Sequence, residues 1–99
     1  MLYRHGDVLI DGIETVPTGA TRLKHLTLAE GEITGHSHRI EQRKSAELYR
    51  HRGQLYLKVV ADRATVIHQE HHPIELPRGV YRVWRQREYT PERIITVRD

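Results

Sequence analysis

The sequence contains no cysteine. That single absence removes disulfide staples, thiolate zinc sites, iron–sulfur clusters and cysteine nucleophiles, so any transition metal must be held by nitrogen and oxygen. Phenylalanine is also missing; five tyrosines and Trp84 supply the aromatic surface, rings that carry a hydrogen-bonding group at their edge. No window keeps apolar residues at i, i+3, i+4 and i+7 for three turns, which argues against amphipathic helices. No run approaches the ~20 apolar residues of a membrane span, and Met1-Leu2-Tyr3-Arg4-His5-Gly6 lacks a secretory core, so the expectation is a soluble, cytoplasmic protein. At 99 residues there is room for one domain spanning 1–99.

Arginine and histidine are in excess. Only Lys24, Lys44 and Lys58 among sixteen basic residues are lysine, and there are eight histidines. The formal charge of +3 with neutral histidine therefore climbs steeply as pH falls below neutrality.

Short β-rich runs recur between Gly, Pro and Asp signals: residues 7–10, 20–28, 33–40, 46–50, 54–60, 65–68, 73–76 and 80–89. This spacing predicts an all-β fold, a small single-domain antiparallel barrel or sandwich. Pro77-Arg78-Gly79 reads as a tight turn joining two strands, and Ala61-Asp62-Arg63-Ala64 as a hairpin loop. Glu41-Gln42-Arg43-Lys44-Ser45 reads as an exposed loop, and the tail 90–97 as a strand rather than a helix, because it fills with β-branched residues.

Five histidines fall in two clusters, Gly35-His36-Ser37-His38 and His68-Gln69-Glu70-His71-His72. Alternation along a strand sends His36 and His38 to one face with Ile40, and an extended second segment aligns Val66, His68, Glu70, His72, Ile74 and Leu76. Pro73 cannot donate to a ladder and can mark a bulge, in which case His71 replaces His72 on the inner face. Imidazoles converging on an apolar interior need partners, and one divalent metal would serve all of them. The proposed ligands are His36, His38 and His72, with His68 or one of Glu41 and Glu70 as a fourth, and zinc, nickel, manganese or iron as the ion. Glu41 and Glu70 are the carboxylates offered as acid or base. His5, His25 and His51 stand apart and are expected to be exposed, and Gly6-Asp7 reads as a turn dipeptide without a chemical role.

With these residues in view, the chain resembles the cupin superfamily of small β-barrels. Gly31-Glu32-Ile33-Thr34-Gly35-His36-Ser37-His38 looks like the glycine and His-x-His of the first cupin motif, and Pro77-Arg78-Gly79 like the Pro-x-Gly of the second. The resemblance implies a barrel holding a divalent metal, with His36 and His38 among the ligands. Glu41 and Glu47 fall too near and too far for the motif glutamate, and Arg82 stands where the second-motif histidine belongs, so His68 or His72 would have to act from the preceding strand.

The stretch Arg78–Tyr89 interleaves arginine with aromatic residues, placing Tyr81, Val83, Arg85, Arg87 and Tyr89 on one face and Val80, Arg82, Trp84, Gln86 and Glu88 on the other. Arg82 and Trp84 are therefore candidate ligand-binding residues, for a small anionic molecule or, less favoured, for nucleic acid. A non-catalytic interaction subunit is a further alternative. A homodimer is expected, because a barrel this small gains core by pairing.

Overall fold

The computed structural model describes residues 1–31 and 35–86. The expected tail strand and Arg87, Glu88 and Tyr89 lie outside these residues. The chain is all-β: β1 (Leu2–His5), β2 (Val8–Ile13), β3 (Thr21–Arg22), β4 (Thr27–Glu30), β5 (Ser37–Ile40), β6 (Ala46–His51), β7 (Gln54–His68) and β8 (His71–Arg85). They form one curled antiparallel sheet in the order β1-β2-β8-β7-β5-β4, with β6 also paired to β7 and β3 paired to β6. Among the described residues, no helix is long and apolar enough to cross a membrane.

The long β7–β8 hairpin organises the molecule, and here two expected turns are corrected. Residues 61–64 and Pro77-Arg78-Gly79 do not end strands. They lie opposite one another within β7 and β8, where the register slips between Val59↔Gly79 and Arg63↔Pro77. Proline and glycine on one strand and surplus residues on the other bend the ribbon instead of closing it, as strands do when they turn a sheet corner. The inward set changes parity there. Leu57 and Val59 give way to Ala64 and Val66 on β7, and Tyr81 and Val83 to Leu76 on β8, all buried. Opposite faces of one ribbon thus feed a single core with Val8, Ile10, Ile40 and Leu48. The Tyr81 hydroxyl bridges the bend by donating to the Pro77 carbonyl at 2.5 Å.

Two-residue turns close three hairpins. Arg52-Gly53, with φ of 51° and 79°, joins β6 to β7 as a type I′ turn, whose twist matches that of the strands. Gly6-Asp7 joins β1 to β2, and Gln69-Glu70 joins β7 to β8. The predicted exposed loop after β5 is exposed from Glu41 to Lys44, with Ser45 buried.

Candidate metal centre

The Gly6-Asp7 and Gln69-Glu70 turns lie beside one end of β5, and histidines from all three elements meet there. His38 points inward with Ile40, and both are buried, as alternation on β5 requires. His68 ends β7 and His71 opens β8, paired across their turn. From Val66↔Ile74 to His68↔His71, β8 spends one residue more than β7, which is a bulge at His72-Pro73. The bulge brings His71 to the cluster and leaves the His72 ring exposed. The ring centroid of His38 lies 4.4 Å from that of His68 and 5.0 Å from that of His5, and His68 and His71 are 4.7 Å apart.

One ligating nitrogen each from His38, His68 and His71 falls within 4.8 Å of the other two. Tetrahedral zinc with ordinary Zn–N bonds needs nitrogens about 3.3 Å apart, so the rings must draw together by up to about 1.5 Å to complete the set. Gly6 lies under two of the rings. A Cβ built on it would fall 2.9 Å from His38 Cε1 and 3.0 Å from His71 Nε2, and its φ of +64° favours glycine independently.

The hydrogen bonds define which atoms are available. His5 Nε2 lies 2.9 Å from the His72 carbonyl, which can only accept, so this nitrogen carries a proton. In a neutral His5 the Nδ1 is then an acceptor, and His38 Nδ1, 2.8 Å away, must donate to it. His38 Nε2 is left with its lone pair, the state a metal ligand needs; an imidazole whose other N–H is held by a hydrogen bond is the usual arrangement around bound metals. Burial, followed by the positive potential of His5 and His68, lowers the His38 pKa to about 4, so the ring is neutral at pH 7. His68 is lowered as well, first by burial and then by His71 and His36. Its Nδ1 accepts the Glu70 amide at 2.9 Å. An ion must therefore displace that amide or shift the ring proton, which makes His68 the most expensive of the three to recruit.

Carboxylates flank the rings. Asp7 Oδ1 lies 3.8 Å from His38 Nε2, while Asp7 Oδ2 accepts from Arg85 Nε and Nη2 at 3.2 and 3.1 Å. Glu70, on the exposed turn, lies 3.4 Å from His36 Nδ1, and the His36 ring stands 5.7 Å from that of His68. An open depression of about 640 Å³ outside the cluster is lined by Arg4, His5, Glu70, His71 and His72 among others.

Of the residues singled out in the sequence, His36, His38, His68 and Glu70 are thus brought together. His72 contributes its carbonyl to His5, and His71 supplies the ring. Glu41 lines a different cavity with Arg39 and Arg43. Arg82 and Trp84 lie on the face of β8 opposite buried Tyr81 and Val83, with the Arg82 guanidinium 4.3 Å from the Trp84 ring centroid. His5, expected to be exposed, is buried, and Asp7, given no role, belongs to the site. The available signal was Tyr3 and His5 alternating on one face immediately before a Gly-Asp turn.

No curated protein and no solved structure matches the chain. Residues 4–86 match the family described as a domain of unknown function, DUF8820, and the chain belongs to that family.

Proposed function

We propose that the protein binds one divalent first-row metal ion through His38, His68 and His71, and uses a remaining coordination position to take a small anionic ligand, for recognition or catalysis. The observation that carries this reading is His38, a buried, neutral imidazole whose Nδ1 is committed to His5, which leaves Nε2 its lone pair, and whose ring centroid lies 4.4 Å from that of His68 and 5.5 Å from that of His71. Three imidazoles favour zinc or nickel over manganese, with iron(II) between them. Asp7 is the carboxylate placed to complete the coordination shell, and Glu70 the one placed to exchange protons at its rim. The likeness to cupins supports the reading in so far as His38, the second histidine of the His-x-His segment, lies on a strand of a curled antiparallel sheet.

The test is metal analysis of protein purified without a histidine tag, followed by thermal melts with added zinc, nickel, manganese and iron(II). Expected is about one ion per chain and, at roughly 100 times Kd, a stabilisation of about 2.7 kcal/mol that His38→Ala abolishes. Absence of bound metal together with unchanged melts refutes the reading. Sedimentation of the same samples tests the homodimer that belongs to it.

Nucleic acid is the weaker reading. Arg82 is stacked on Trp84, and Arg22, Arg63, Arg78 and Arg85 each pair with a carboxylate, which competes with phosphate contacts.

A further inference from the structure

The curled sheet has a seam on its other flank. Among the described residues, strands β3 and β4 are each paired on one side only, to β6 and β5. Residues 23–26 span the gap between them: the Leu23 amide donates to the Leu48 carbonyl at 2.8 Å, and the Ile40 amide to the Leu26 carbonyl at 3.0 Å. The crossing is therefore tied to β6 at one end and to β5 at the other. Against it lies a cavity of about 490 Å³ lined in part by buried Ile40, Ala46 and Leu48. That volume suits one small molecule.

Four cations line this cavity, Arg22, Lys24, Arg39 and Arg43, against two carboxylates, Glu41 and Glu47. Glu47 is already engaged, accepting from the Tyr49 hydroxyl at 2.6 Å and lying 3.7 Å from Arg22. Arg39, half-buried on β5, forms no ion pair among the described residues, and neither does Lys24 or Arg43. A partly desolvated guanidinium presents several donors in a fixed fork, the geometry that pairs with phosphate oxygens. The surplus of two cations matches the charge of a phosphate monoester near neutral pH.

We propose that the seam cavity binds a phosphate monoester carried on a compact apolar body, the phosphate held by Arg39 and Arg43 and the body resting on Ile40, Ala46 and Leu48. The site shares no lining residue with the depression beside the histidines and does not depend on a metal.

The experiment is a titration of the full chain, kept in chelator, with phenyl phosphate and separately with inorganic phosphate, followed by amide NMR. Chelation removes any contribution from an ion at the histidines, so failure here and failure of the metal reading are separate results. Expected are saturable shifts confined to residues 22–27 and 39–48, with inorganic phosphate weaker by about tenfold for want of the apolar contact. Arg39→Gln and Arg43→Gln should each weaken phenyl phosphate by about tenfold; Arg43, on the exposed loop, keeps the test valid if Arg39→Gln does not fold. Shifts that do not saturate, shifts scattered over arginines elsewhere, wild-type affinity in the folded variants, equal affinity for inorganic phosphate, or binding only after metal is restored would each overturn the proposal.

Discussion

His5 and His38, 33 residues apart in the chain, meet through their Nδ1 atoms at 2.8 Å in the interior. Since the His72 carbonyl fixes the proton on the far side of His5, this contact sets which nitrogen of His38 bears a lone pair. Replacing His5 with alanine should therefore weaken zinc by about 10–100-fold without changing stoichiometry, the usual cost of losing an outer-shell partner. Competition titration against a chromogenic chelator reads both quantities. Unchanged affinity in a folded variant would show that His38 is oriented by something else.

Gly6 leads to a second expectation. An alanine there combines a φ of +64° with a Cβ 2.9 Å from His38 Cε1, so backbone and ring must both yield. The left-handed conformation alone should cost about 1 kcal/mol of stability, read by urea unfolding in chelator. Displacement of His38 and His71 should lower zinc affinity as well, whereas a purely conformational cost would leave it intact.

The His38 pKa fixes a pH dependence for the metal-free protein. Its folded value, about 4, lies below the ordinary 6.5, because burial and the neighbouring His5, His68 and His71 outweigh Asp7. The unfolded chain then binds more protons between these two values, so stability is complete above about 6.5 and falls as pH drops towards 4. His38 alone accounts for a loss of about 3 kcal/mol across that window, and His68 acts in the same direction. Urea unfolding in chelator at a series of pH values checks the slope. His38→Phe should flatten it.

Arg82 provides the contrasting case. With its guanidinium over Trp84 on the opposite face of β8, Arg82→Ala should leave zinc affinity unchanged. Stability should drop by about 0.5–1 kcal/mol and tryptophan fluorescence should shift. A loss of metal binding would place this face in the site.

Much of the strand pattern and the inward direction of His38 were legible because alternation is a local property. His38 and Ile40 are buried together for that reason. Pro73 announced the bulge that exchanges His72 for His71. What local signals cannot distinguish is a turn from a bend: Pro77-Arg78-Gly79 carries turn chemistry, but its partner across the ladder is a second irregular stretch, and two irregularities in register fold a ribbon without ending it. His5 and Asp7 were obscured differently. Their importance comes from β1 and β2 docking beside β8, a long-range pairing that no short window contains.

His68 and His71 flank the tip of the longest hairpin, so two of the three proposed ligands are joined by the shortest loop closure in the site. A cation captured by that tip would tether the two arms while β5 is still detached, acting as a nucleation clamp instead of a late addition. Refolding should accordingly quicken with zinc in solution, and His71→Ala should remove the acceleration.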